Sequence, residues 1–328
     1  MSIPLLSVQD LVKNFALPRR SLIGPRGAVQ AVSGVSFELE RGKTLGLVGE
    51  SGSGKSTTAR LITGLTRPTS GRIEFDGVDV ATASRRQRGA MRRRMQMVFQ
   101  DPRGSLDPRM RVRDVIGEGL VVHRIASGAA LRARVEELLS IVGLQASDAD
   151  KYAHEFSGGQ AQRIAIARAL ATDPELIVCD EAVSALDVSV QAQILNLLRR
   201  LQDELQLTYL FISHDLNVVR YMSDEVIVMY LGRSVERGPA EAVFERPTHP
   251  YTQALLGAVS QGDWTEPEPT GPTLRGEIPS PANPPSGCRF HTRCPLAFDR
   301  CRVDVPDETP LGGGHLAACH LATEVMAR

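Results

Sequence analysis

The stretch GESGSGKST, residues 49–57, constrains the fold more than any other part of the chain. Glycines 49, 52 and 54 free the backbone to adopt conformations closed to other residues, so a loop here can turn its amide groups inward. An apolar run, TLGLVG (44–49), precedes the loop, and a helical pattern, TTARLITGL, follows it. Strand, glycine loop and helix start together make a phosphate cradle, because the inward amides and the positive end of the helix both favour an anion. In this spacing Lys55 can reach the β- and γ-phosphates of a nucleotide and Ser56 can hold Mg²⁺. Ser51, Ser53 and Thr57 complete the binding loop. The motif specifies a nucleoside triphosphate, and kinases, GTPases and helicases all share it.

The rest of the chain agrees with an α/β core. LIVCDE (176–181) and LTYLFISH (207–214) read as further buried strands. Between them Ile194, Leu197, Leu198, Leu201 and Leu205 recur at helical spacing, as do Leu131, Val135, Leu138, Leu139 and Val142 further upstream. Strands alternating with helices predict a P-loop core built on a parallel sheet. A mainly helical subdomain is expected over about 103–170, and EVIVMYLGRSVERG (225–238) should form a hairpin, or a strand and its continuation, closing the core. Seven of the 20 prolines fall between Pro267 and Pro285. Residues 1–260 are therefore expected to form one domain, and 261–328 a proline-rich linker with a small cysteine-bearing extension.

Thirty-eight basic residues balance 38 acidic ones, which argues against a dedicated nucleic-acid binder. The cationic RRQRGAMRRR (85–94) reads as a solvated helix face or loop. The opening MSIPLLSVQD lacks the features of a signal peptide, and no apolar run approaches the length of a membrane span, so a cytoplasmic protein is expected.

A second site follows from the run of acids ending LIVCDE. Asp180, at the carboxyl edge of its strand, can help hold Mg²⁺. Glu181 adds charge that a strand end beside a triphosphate does not need, which suits a base polarising an attacking water. Cys179 inside the strand reads as a small buried apolar residue. Upstream, Ser157, Gly158, Gly159 and Gln160 open a helical pattern and offer a second anion cradle from a hydroxyl, glycine amides and a helix N-terminus.

GESGSGKST, Gln100 in MVFQDP, FSGGQ, LIVCDE, SALD (184–187) and FISHD (211–215) occur here in one order. That order resembles the nucleotide-binding subunits of ATP-binding-cassette (ABC) transporters over about residues 5–260, with an antiparallel β part and a helical signature subdomain implied. Phe156 stands where leucine is commoner, and Ala161 where a basic residue is frequent. The resemblance implies that Phe15 stacks on adenine and that Gln100 touches Mg²⁺ and the attacking water and senses the membrane partner. It implies that Asp187 crosses a dimer interface and that His214 contacts the γ-phosphate. It also implies a head-to-tail dimer, in which the loop holding Lys55 faces Ser157 of a second ATPase subunit, either a copy of this chain or a similar one, with ATP between them.

FQDPRGSLDPRMRV (99–112) and RPTHPYTQALL (246–256) leading into GEIPSPANPPSGCRFHTRC are similar to the ATPase subunits of bacterial oligopeptide and dipeptide importers, whose relatives also carry nickel or glutathione, so ATP-driven import of di- or oligopeptides or related small solutes is expected. That likeness implies two membrane permease subunits, an extracytoplasmic solute-binding protein acting through them, and a peripheral position on the cytoplasmic face of the inner membrane. A soluble cassette acting on nucleic acid or the ribosome is the alternative. Such proteins usually carry two cassettes or a long coiled coil, whereas this chain has one of each motif and no sustained heptads.

Four of the five cysteines, Cys288, Cys294, Cys301 and Cys319, sit in the last 41 residues with the spacing C-x5-C-x6-C-x17-C. A reducing compartment disfavours disulfides. Four thiolates can bind Zn²⁺ or an iron–sulfur cluster. Close cysteine pairs typical of structural zinc are absent, although His291, His315 or His320 could join a zinc site. The wide spacing suits a bulkier cluster, and the peptide-importer resemblance implies [4Fe–4S] in a structural role. Its place far along the chain from the ATP motifs gives it no expected part in hydrolysis.

Overall fold

Every side chain of TLGLV is buried, because this strand has a parallel neighbour on each edge and is covered on both faces. The computed structural model describes residues 3–17, 27–259 and 276–326. The first part of the expected proline-rich linker lies outside the described residues. The elements in chain order are β1 (Leu6–Ala16), β2 (Ala28–Leu39), β3 (Thr44–Val48), α1 (Lys55–Ile62), β4 (Ser70–Phe75), β5 (Val78–Asp79), α2 (Arg85–Arg94) and β6 (Met95–Val98). Then come α3 (Val112–Val122), α4 (Gly128–Ile141), α5 (Gly158–Leu170), β7 (Leu176–Asp180), α6 (Val188–Leu205), β8 (Thr208–Ile212), α7 (Leu216–Met222), β9 (Glu225–Tyr230) and β10 (Arg233–Pro239). Helices α8 (Ala240–Glu245), α9 (Pro250–Val259) and α10 (Asp299–Val303), strands β11 (Thr309–Gly312) and β12 (His315–Ala317), and α11 (Ala322–Met326) complete the chain.

Two sheets result. The main one runs β11-β12-β10-β9-β3-β8-β7-β6. Its five strands from β9 to β6 are parallel, and β10, β12 and β11 are antiparallel additions. The second sheet, β2-β1-β4-β5, is antiparallel. Alternate residues of the central strands face two different cores, as the two-residue period of a strand demands. Leu45, Leu47, Val178, Ile212 and Met229 pack toward Leu6, Phe37, Ile73 and Phe75 of the antiparallel sheet. Ile177, Cys179, Tyr209, Phe211 and Tyr230 belong to the other core, with the helices α3 to α6.

The expected helical stretch is α3 to α5 with two short 3₁₀ turns. Helix α6 buries Ile194, Leu197, Leu198 and Leu201, but Leu205, placed on that face by its spacing, is 49% exposed at the helix end. RRQRGAMRRR is helix α2, with only Met91 buried. The cysteine segment is not a free appendix: β12 pairs Leu316 and Ala317 with Arg237 and Glu236 of β10, so the C-terminal strands extend the main sheet. No helix among the described residues is long and apolar enough to cross a membrane.

Candidate functional site

The loop after β3 takes the shape its glycines permit. Gly49 and Gly54 lie at φ 144° and 107°, and a Cβ there would stand 2.2 Å from the Met229 carbonyl and 2.3 Å from that of Ala31. Only glycine lets the loop pass so close to the β9 end and to β2. Lys55 is buried, and its Nζ donates to the carbonyl oxygens of Gly49 at 2.7 Å and Glu50 at 3.0 Å. Burial lowers its pKa, opposed by Glu181, Asp180 and Glu50. Ser53 is also buried, Ser51 and Gly52 are exposed, and Thr57 is half-buried on α1.

Ser56, on the first turn of α1, donates through Oγ to Asp180 Oδ1 at 2.8 Å. Asp180 ends β7 buried, and desolvation raises its pKa against that hydrogen bond. A hydroxyl and a carboxylate beside a helix N-terminus form a hard oxygen donor set, which suits Mg²⁺. Glu181 follows in the left-handed region at φ 50°. Its N–H donates to Ile212 O at 2.9 Å and its carbonyl accepts from Ser184 N–H at 3.1 Å, so both flanking segments hold the strained residue. Its Oε2 is the meeting point of two further elements. Gln100 donates through Nε2 at 2.8 Å from the segment after β6, and His214 Nδ1 lies 3.4 Å away at the end of β8. Three adjacent strands thus bring Gln100, Asp180, Glu181 and His214 to one edge, and β3 brings the loop there.

Other expected residues stand apart from this cluster. Ser157 caps α5, accepting from Gln160 N–H at 3.4 Å, while Gln160 Oε1 accepts from Ser157 N–H at 3.0 Å. Gly158 and Gly159 form the first turn, and a Cβ on Gly159 would lie 2.4 Å from Val190 Cγ1. Among the described residues, the side-chain hydrogen bonds of 157–160 run within that turn. Asp187 caps α6, and the backbone hydrogen bond from Val190 lowers its pKa. Phe15, on β1, is 43% exposed with Lys13 Nζ 4.9 Å from its ring centroid.

Cys288, Cys294, Cys301 and Cys319 are unbridged and line one small cavity with His249 and Phe290. Burial raises the Cys288 and Cys294 thiols to about 11, with smaller repulsions from the neighbouring thiolates. No three His, Cys, Asp or Glu side chains among the described residues stand close enough to hold a single metal ion. The three histidines considered for zinc are engaged: His315 with buried Glu236 at 2.8 Å, His291 with the Cys288 carbonyl, and His320 with the Asp304 carbonyl. Cys179 is wholly buried in β7, its thiol pushed up to about 12.

Sequence reasoning missed Glu50 and Arg293. Arg293, one residue before Cys294, forks onto both carboxylate oxygens of Glu50 inside the phosphate loop, at 2.7 and 3.1 Å. Their separation along the chain, 243 positions, hid the contact. Chain distance had also set the cysteine segment apart from the ATP motifs, whereas in space the two touch.

A phosphate loop, a hydrogen-bonded Ser–Asp pair and a glutamate flanked by glutamine and histidine on the carboxyl edge of a parallel sheet define a P-loop nucleotide hydrolase. Residues 32–184 match the ABC transporter family, and residues 235–301 match the family described as oligopeptide/dipeptide transporter, C-terminal region. The chain is 50% identical to the oligopeptide transport ATP-binding protein AppF of Bacillus subtilis, over 97% of each chain. It is 48% identical to the di/tripeptide transport ATP-binding protein DppF of Pseudomonas aeruginosa, over 98% of each. In structure it is similar to the ATP-binding cassette MJ0796, solved as a dimer in a post-hydrolysis state with ADP and Pi. The TM-score is 0.64 at 28% identity, over 72% of this chain and 98% of that one. The chain belongs to the ATP-binding subunits of ABC transporters, and it is an ATPase of that family.

Proposed function

We propose that this chain hydrolyses ATP to drive import of di- or oligopeptides through two separate membrane permease subunits. The carrying observation is Glu181, the shared partner of Gln100 and His214, one residue past the Asp180–Ser56 bond. Glu181 acts as the base that takes a proton from the attacking water. Gln100 and His214 orient that water and the γ-phosphate. Lys55 and the amides of Gly49, Ser51, Gly52, Ser53 and Gly54 hold the phosphates, with Thr57 beside them. Ser56, with Asp180 and Gln100, holds Mg²⁺, which neutralises phosphate charge when bound. Phe15 stacks on the base. Ser157, Gly158, Gly159, Gln160 and Asp187 complete the site of a second ATPase subunit. The peptide cargo is supported by the names of the two relatives and by the C-terminal match. A soluble cassette serving nucleic acid or ribosomes has no such support.

In this reading the subunit sits on the cytoplasmic face of the membrane, and cargo reaches the permease from an extracytoplasmic binding protein. Residues 1–260 form the ATPase domain and 261–328 the linker and extension. The four C-terminal cysteines hold a [4Fe–4S] cluster, with Zn²⁺ as the alternative. What supports the cluster is four cysteine thiols, soft donors, lining one cavity, while the histidines that line it too, His249, His291 and His320, keep zinc as the alternative. Co-expression with and without permease subunits tests the transport role. Recovery in the membrane fraction only with permeases, and ATPase activity stimulated by peptide-loaded binding protein, support it. Ribosome or nucleic-acid binding without them overturns it. Anaerobic purification followed by iron, sulfide and zinc analysis separates the metals: about four irons per chain supports the cluster, and one zinc in a colourless protein rejects it.

A further inference from the structure

The segment between Cys288 and Cys294 is a double turn, closed by His291 N–H to the Cys288 carbonyl and Arg293 N–H to the Phe290 carbonyl. Three of its side chains point into the ATPase core. Phe290, buried, packs edge-on against Tyr230 with ring centroids 5.3 Å apart and lies 5.4 Å from Tyr251. Arg289 donates to the Leu231 carbonyl and to Gln30 Oε1. Arg293, only 6% exposed, forks onto Glu50.

Each contact ends on or beside the phosphate loop. Glu50 is held on all sides: its carboxylate by Arg293, its N–H by Tyr251 Oη at 2.9 Å, and its carbonyl by Lys55 Nζ at 3.0 Å. The turn at Leu231 that Arg289 grips continues into Gly232, whose N–H donates to the Ser53 carbonyl at 2.8 Å. The cysteine segment therefore reaches the loop at two points, Glu50 and Ser53, three residues apart. A planar guanidinium forked on a carboxylate fixes direction as well as distance, which a single point contact does not.

We propose that Arg293 is a positioning residue for nucleotide binding: through Glu50 it holds the phosphate loop in its binding shape, so that the integrity of the cysteine segment sets ATP affinity. The inference rests on the nucleotide-site reading above, and it assigns the C-terminal extension a part in binding ATP rather than in folding alone. Cys288 N–H donates to the Cys301 carbonyl at 2.9 Å, so the cysteine site anchors the turn that carries Arg293.

The test uses the full-length protein and two readouts. The first is displacement of a fluorescent ATP analogue by ATP with Mg²⁺, for Arg293→Ala, Arg293→Lys, Glu50→Gln and the double variant Arg293→Ala/Glu50→Gln. Arg293→Ala should weaken ATP about tenfold or more, Arg293→Lys less, and the double variant no more than the worse single, as expected of residues that act as one unit. KM should rise with kcat at saturating ATP little changed. The second readout is amide exchange in nucleotide-free protein. Amides of 49–55 should exchange faster in Arg293→Ala and in Cys301→Ser, while those of α6 stay as in the wild type. A folded Arg293→Ala protein with wild-type ATP affinity and wild-type exchange at 49–55 overturns the proposal. Unchanged exchange in Cys301→Ser alone removes the link to the cysteine site. A wild type that exchanges as described but binds no ATP would refute the nucleotide-site reading and leave the coupling of Arg293 to the loop standing.

Discussion

The two halves of a cassette site differ sharply within this one chain. Around Lys55 the groups that do chemistry are already engaged with one another, most of them across elements distant in the chain: buried Lys55 on loop carbonyls, half-buried Ser56 on buried Asp180, and the exposed Gln100 and His214 on Glu181. Around Ser157 the side chains of Ser157 and Gln160 are exposed and, among the described residues, bonded within their own helix turn. The first half is preorganised, since its polar groups hold one another in place before any ligand arrives. The second offers a hydroxyl and a helix N-terminus to something outside the chain. A chain with one finished half and one open half is suited to pairing head to tail, each copy supplying what the other lacks.

The largest effect should come from breaking the finished half at its centre. Glu181→Gln keeps the shape and the hydrogen bond to Gln100 but cannot accept a proton. ATP turnover should fall at least about a hundredfold while ATP binding persists, and an ATP-bound dimer should accumulate, visible by size exclusion. Wild-type turnover in this variant would remove Glu181 from the base role. Lys55→Ala should act earlier, weakening nucleotide binding itself, and a direct binding titration measures it.

The comparison sharpens when one half is damaged in each of two subunits. A Lys55→Ala subunit mixed with a Ser157→Arg subunit makes a dimer with one doubly damaged site and one intact site. Each variant alone should be inactive, and mixing should restore part of the activity. No recovery in a demonstrated mixed dimer would show that the open half is not completed by a partner. Where the natural partner is a different chain, the same pair of changes is divided between the two subunits.

Ser157→Ala tests a smaller matter, whether the exposed serine also serves its own fold. It accepts the Gln160 N–H at the start of α5. Losing that cap should cost about 1 kcal/mol in urea unfolding. A larger loss of ATPase activity than of stability would separate the two roles of the hydroxyl.

The finished half was largely legible in the sequence because its parts are local. The loop glycines, the lysine and serine after them, and the acids ending a strand lie within runs of a few residues whose periodicity fixes their element. Gln100, Glu181 and His214 were each readable, but that one oxygen of Glu181 serves both neighbours follows from strand order, which no short stretch carries. The C-terminal extension was the least legible. Its β11 and β12 are short strands divided by Gly313 and Gly314, and β10, the partner of β12, lies some eighty residues earlier. Arg293 reads as an ordinary surface cation until the fold buries it against Glu50. Contacts between distant positions leave no local period to find.

The smallest predicted effect concerns the scaffold beneath the finished half. Glu175, just before β7, pairs with Arg94 at 2.5 Å and with Arg41, and both arginines also reach Asp76 on the turn between β4 and β5. This network clips the antiparallel sheet to the strand that carries Asp180. Arg94 above all, with Arg41, lowers the Glu175 pKa below its ordinary 4.5. A carboxylate held ionised in the fold adds stability above its unfolded pKa and loses it as pH falls through the depressed folded value. The group is about one-third exposed, so solvent screening keeps the contribution below about 1 kcal/mol. Glu175→Gln should therefore be slightly less stable than the wild type at pH 7, and the gap should narrow in urea unfolding at pH 4 and below. A gap that stays constant with pH would mean that Glu175 acts through packing rather than charge, and that the engaged half does not depend on this ion network.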